Sequence, residues 1–202
     1  MFSTLRPQHY HPFGFTLAEL LISLAILGVI ATFTIPKILS SQQDSKYSAS
    51  AKEVVAMFSD AYQQAKFSSS NVASIAPANL FQYMNYVKTD TTSSIDGLYT
   101  QGVYGVNCSQ RPCIQLHNGG IVLASQWNFG GTGTTNSINF IYDPDGKVTD
   151  GTTTGPGKSV IFYLYANGRI VTSANVLPGT TNQSGGTYSA NANLDPPWFS
   201  WN

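Results

Sequence analysis

The sequence predicts an α+β fold: a long N-terminal helix that packs through its second half on an antiparallel β-sheet. Three observations predict it. Residues 17–35 are almost wholly apolar, and a run of about 20 apolar residues is long enough to cross a bilayer as a helix. Tyr47, Ala51, Val54, Phe58, Ala61 and Ala65 then recur at alternating four- and three-residue steps. That spacing continues the helix with one stripe to bury. Further on, short runs of β-branched and aromatic residues are separated by Asn-Gly turns, the mark of hairpins.

The N-terminal segment has three readings by length alone: a cleaved secretory signal, a transmembrane anchor or a buried core helix. A secretory signal has a shorter apolar region followed by a small-x-small cleavage site. Ile35-Pro36-Lys37 is no such site. The polar residue of the run also sits at its start, where Glu19 follows Thr16 by one helical turn. A carboxylate in a membrane span costs several kcal/mol and is a functional candidate by default. The plainer account is a first-turn acid that favours the helix dipole, with Thr16 as its capping-box partner. Gly28 and Pro36 are the two weak points of the helix. Glycine lowers helix propensity, and proline removes a backbone donor and crowds the carbonyl of Thr32. Thr32 and Thr34 stand ready to bond freed backbone groups.

The order Gly14-Phe15-Thr16-Leu17-Ala18-Glu19-Leu20 before an apolar helix resembles the processing motif of type IV pilins and type II secretion pseudopilins. The resemblance covers the N-terminal segment only. It implies a leader peptide over residues 1–14, cut by prepilin peptidase between Gly14 and Phe15, with Phe15 then N-methylated. It implies a transmembrane and assembly helix over 15–36, kinked at Gly28 and Pro36. The amphipathic half of the same helix would cover 37–71, and a globular α+β domain outside the cytoplasm 72–202, in a pilin-like fold. Glu19 would be the assembly residue, pairing with the terminal amine of a neighbouring subunit. Pairing suits a low-dielectric environment, where each charge needs a partner.

The function so implied is that of a structural subunit, major or minor, of a type IV pilus or a type II secretion pseudopilus. Its partners would be other pilin or pseudopilin subunits, prepilin peptidase and the inner-membrane assembly platform. It would reside in the inner membrane before assembly, and then in a pilus or periplasmic pseudopilus. The alternative is a tip-located adhesin or a DNA-uptake receptor carried on the same anchor. Neither reading makes the chain an enzyme or gives it a cofactor.

Composition agrees with an extracytoplasmic location. Charged residues make up 10% of the 202, against about 25% in an ordinary soluble domain. Ten Lys and Arg balance ten Asp and Glu, so no basic field exists to hold nucleic acid or an anionic membrane by charge alone. The two cysteines, Cys108 and Cys113, admit three readings. A zinc site needs about four ligands, and His117 is the single histidine after the first 14 residues. Two free thiols or a small structural disulfide remain, the disulfide being preferred in an oxidising compartment.

After the long helix, closed by Ser68-Ser69-Ser70-Asn71, residues 77–88 read as a short helix with Pro77 in its first turn. Its apolar face would be Leu80, Met84 and Val87. Residues 113–117 and 121–126 read as a hairpin around Asn118-Gly119-Gly120. Residues 137–142 form a further strand, and 160–165 and 169–172 a second hairpin around Asn167-Gly168. The sheet is expected to be antiparallel, with one face against the helical stripe. The chain from residue 177 reads as loop, closing over the sheet with its aromatic end. Other chemistry is weakly supported. Asp143, Asp145 and Asp150 invite calcium, but calcium takes six to eight oxygens, and Pro144 and Gly146 suit a type I turn instead. Gly130-Gly131-Thr132-Gly133 lacks the Lys-Ser/Thr ending of a phosphate loop. His117 has no nearby nucleophile.

Overall fold

A computed structural model describes residues 14–90, 108, 112–146 and 159–201. The chain divides into two compact units, one ending at Gln43 and one beginning at Asp44. The helix α1 (Leu17–Ser68) belongs to both.

In the first unit α1 is apolar and unburied. From residue 14 to 43 only Ala31 is even half-buried. Among the described residues α1 is the one helix long and apolar enough to cross a membrane. It runs on through Gly28 and Pro36 as α-helix. Ser23, Thr32 and Thr34 each donate their hydroxyl to a carbonyl one turn earlier, of Glu19 (2.7 Å), Val29 (2.7 Å) and Ile30 (2.9 Å). Such bonds let a hydroxyl sit in an apolar helix. The two threonine bonds go to carbonyls other than that of Thr32, the one that Pro36 leaves without its helical donor.

In the second unit the stripe of α1 is buried at Tyr47, Ala51, Val54, Phe58, Ala61, Tyr62 and Ala65, which is the expected set with Tyr62 added. It packs on a six-stranded sheet made of β1 (Lys88–Asp90), β2 (Cys113–Gln115), β3 (Ile121–Ala124), β4 (Ser137–Asp143), β5 (Val160–Tyr165) and β6 (Ile170–Thr172). The strands lie in sequence order and every neighbouring pair is antiparallel. The hairpin turns fall where Gly119 and Gly168 take φ of +88° and +91°, a region open to glycine. Phe140 of β4 stands opposite Ala124 and Phe162 and stacks on Phe58 of α1 with ring centres 3.7 Å apart. At the far end the Tyr62 hydroxyl donates to the carbonyl of Ala166.

The sheet is buried on both faces. Ile114, Val122, Phe140, Tyr142, Phe162 and Leu164 face α1. Cys113, Leu123, Ile141, Ile161, Tyr163 and Val171 form a second cluster with Val176. This is period-two sorting of strand residues. The second face is closed by the chain after β6, through Leu177, Tyr188 and Leu194. That stretch is more than loop: it holds a small hairpin, β7 (Thr180–Thr181) and β8 (Thr187–Tyr188). Tyr165 fixes it by a bond between its hydroxyl and Thr180 Oγ1 (2.8 Å) and another from the Leu177 amide (2.8 Å). The aromatic end then crosses to the helix side, where Trp198 meets Tyr47 and Phe199 meets Phe162.

Several expected boundaries move. The helix expected over 77–88 is one turn, α2 (Pro77–Leu80), followed by a 3₁₀ turn ending at Tyr83. Leu80 and Met84 are buried as expected, but Val87 is exposed, because Lys88 already begins β1. Pairing with β2 (Lys88 opposite Gln115) overrides local helix propensity there. The strands expected to reach His117 and Gln126 stop at Gln115 and Ala124. The long helix ends at Ser68, within the expected Ser68 to Asn71 stretch, and the Asn71 side chain accepts the Ala73 amide to start a 3₁₀ turn.

Candidate functional site

The residues singled out by the sequence fall in both units. Gly14, Phe15, Glu19, Gly28 and Pro36 lie in the first unit, and Cys108 and Cys113 in the second.

The chain at Gly14 and Phe15 precedes α1, and both residues are exposed, Phe15 to 80%. The peptide bond between them is therefore outside the helix and open to solvent. A Cβ on Gly14 would meet nothing within 4 Å, and the same holds for Gly28. Packing among the described residues thus makes no demand for glycine at either position.

Glu19 and Thr16 form a reciprocal cap. Thr16 donates its amide (2.8 Å) and its hydroxyl (2.9 Å) to Glu19 Oε2, and the Glu19 amide donates to Thr16 Oγ1 (3.2 Å). This satisfies amides that a helix start leaves without partners. Both carboxylate bonds fall on Oε2. The other oxygen, Oε1, receives none among the described residues, so the cap leaves half of the carboxylate open to a donor from outside. The surrounding surface is apolar: Leu17, Leu20, Leu21, Ile22, Leu24 and Ile26 are all more than half exposed. A single carboxylate on an otherwise apolar stretch of helix, as Glu19 is over residues 17–35, can orient a cationic partner, and it does so most strongly where water is excluded.

In the second unit Cys108 and Cys113 form a disulfide, with Cα atoms 5.4 Å apart, buried among the residues of the second face. It ties residue 108 to the first residue of β2. At the β4 end, the Asp145 amide donates to Asp143 Oδ1 (3.4 Å), and Gly146 has φ of +63°. That is the local geometry of a turn. Asp150 lies outside the described residues. Among the described residues no three His, Cys, Asp or Glu gather as a metal site. His117 Nε2 lies 3.1 Å from Asn85 Oδ1 in a shallow groove lined also by Glu53, Met57, Leu116 and Asn118. None of these is a serine, threonine or cysteine.

Sequence reasoning missed two arrangements around the first held turns of α1. Ser50 bonds the hydroxyl of Tyr142, and Asn118 Nδ2 donates to Ser50 Oγ (2.6 Å). Tyr47 and Trp198 pack edge to face at 5.7 Å. Both join residues far apart in the chain, and no periodicity signals them. No protein-family model matches the chain, and no curated protein or solved structure matches it either.

Proposed function

We propose that this chain is a structural subunit of a type IV pilus or type II secretion pseudopilus. It is cut by prepilin peptidase after Gly14 and polymerised through its N-terminal helix. The observation that carries the reading is the apolar first part of α1, residues 17–35, left unburied but for half-buried Ala31, preceded by an exposed Gly14-Phe15 bond and bearing Glu19 as the one carboxylate of that stretch. So much apolar surface on one helix requires either lipid or other copies of itself. A filament subunit meets both in turn, first the inner membrane and then its neighbours.

The lone carboxylate supports the same reading. Once Phe15 is the first residue, its amine is a cation at the head of the helix. Methylation keeps that charge. The open Oε1 of Glu19 can accept the amine of a neighbouring subunit, which rewards docking in one register. Glycine at position 14 is then required by the peptidase, which needs close approach to an extended backbone. The α+β unit from Asp44 onward is consistent with a pilin-like globular domain held outside the cytoplasm, where the disulfide survives.

Mass spectrometry of the N-terminus, on protein from its native host, tests this. The expected mature chain begins at N-methylated Phe15. A terminus at Ala31 or later indicates ordinary signal-peptide cleavage and removes the assignment.

A further inference from the structure

The buried stripe of α1 is uneven. From Phe58 onward it is held by large rings: Phe58 on Phe140, Tyr62 against Phe129, and the Tyr62 hydroxyl on Ala166. Between Tyr47 and Phe58 its fully buried residues are Ala51 and Val54, with Val55 and Met57 partly buried against the same core. These aliphatic side chains bury less apolar area than the rings that follow, so this stretch of helix is held less tightly by the sheet than the turns from Phe58 onward.

Two side-chain contacts compensate. Tyr47 is met by Trp198, whose own place is set by Phe199 at 6.0 Å and, through Phe199, by Phe162 at 5.3 Å. Ser50 is met by Tyr142 and Asn118. Neither contact is a backbone ladder. The indole N–H of Trp198 is buried with no acceptor among the described residues, so the aromatic contact is one of packing alone.

We propose that Trp198 and Tyr142 act as a two-point latch on the first held turns of α1, residues 44–54. The chain near its aromatic end thereby decides how much of the helix the globular unit holds. With the latch open, these turns leave the sheet while Phe58 to Ala65 stay packed, and the unburied part of α1 lengthens by about three turns, roughly 16 Å. Local opening of this kind is drawn from the least tightly packed part of a fold. The inference concerns the subunit itself and holds whether or not the chain assembles.

Hydrogen–deuterium exchange on the whole chain in detergent tests it, comparing peptides over 44–54 with peptides over 58–66. In Trp198→Ala, exchange over 44–54 is expected to speed up by about tenfold, the measure of one aromatic pair, with 58–66 unchanged. Trp198→Phe keeps a ring and should restore most of the protection. Tyr142→Phe removes only the hydroxyl and should raise exchange over the same segment by about threefold, the measure of one hydrogen bond. Unchanged exchange over 44–54 in both Trp198→Ala and Tyr142→Phe overturns the latch. So does acceleration that is uniform through residue 66, because it makes these contacts ordinary core.

Discussion

Glu19 has two roles to separate, cap and docking group. The cap uses Oε2 alone, and Thr16 with the backbone can hold a helix start at modest loss. A missing cap costs about 1 kcal/mol, which an apolar helix in lipid tolerates. Glu19→Ala should therefore leave leader cleavage and the unit from Asp44 onward intact, and the subunit should accumulate in the membrane as before. Its share in sheared filaments, co-expressed with wild type, should fall at least tenfold below its share in the membrane, about 1.4 kcal/mol of lost pairing. Equal shares would mean that Glu19 is a cap and nothing more. Tyr163 offers a residue-scale test of the fold. Burial, and then the neighbouring Tyr188, push its hydroxyl up to about 12 from 10.0. The folded state thus keeps a proton that the unfolded chain gives up. The contribution is whole below pH 10 and is lost as pH rises toward about 12. Tyr163→Phe should reduce the alkaline fall in stability by up to about 1.4 kcal/mol per pH unit in that window. Tyr62 and Tyr142 are raised by burial as well, so the slope shrinks without vanishing. Urea denaturation at a series of alkaline pH values measures it.

At the scale of the element, α1 is a helix of two characters. Its amphipathic stripe was legible: six of its seven buried residues follow from four- and three-residue spacing, and the seventh, Tyr62, adjoins Ala61 on the same face. Phe58 is the centre of that stripe, with no exposed surface and a ring stacked on Phe140. Phe58→Ala should lower stability by about 3–5 kcal/mol, read from the urea midpoint. Phe67, one residue before the end of α1, is 89% exposed. Phe67→Ala should change stability by no more than about 0.5 kcal/mol. The short helix is shorter than its spacing predicts, since Leu80, Met84 and Val87 fit one helical face. Strand pairing at Lys88 decides against it, and a partner strand 27 residues downstream (Lys88 opposite Gln115) leaves no mark on local spacing. β5 did carry a readable signal. Val160-Ile161-Phe162-Tyr163-Leu164-Tyr165 has no polar alternation, which is how a strand buried on both faces reads.

At the scale of the whole molecule, the unburied apolar surface and the packed core lie in separate units. Apolar exposure is confined largely to the unit ending at Gln43, while both hydrophobic clusters lie after Asp44. A chain beginning at Asp44 should therefore fold on its own, retain the disulfide and remain in the soluble fraction without detergent. The full chain should require detergent and sediment with membranes after alkaline carbonate washing. Circular dichroism and partition of the two forms decide the matter. A truncated chain that unfolds would show that the N-terminal segment contributes to the core.

The sequence by itself determined the fold class, a long helix on an antiparallel sheet. Hydrophobic periodicity is local, so an apolar run, a helical stripe and Asn-Gly hairpins can be read without knowing what they touch. The Gly14 to Glu19 motif is local too, and the capping bonds between Thr16 and Glu19 span one turn. Only the tertiary structure decided what covers the second face of the sheet, where the short helix stops, and how the first held turns of α1 are fastened. The cover comes from residues 176–194, and the fastening from Tyr142 and Trp198. Those contacts join positions distant in the chain, and they are selected by the shape and burial of the assembled core rather than by any pattern along the sequence.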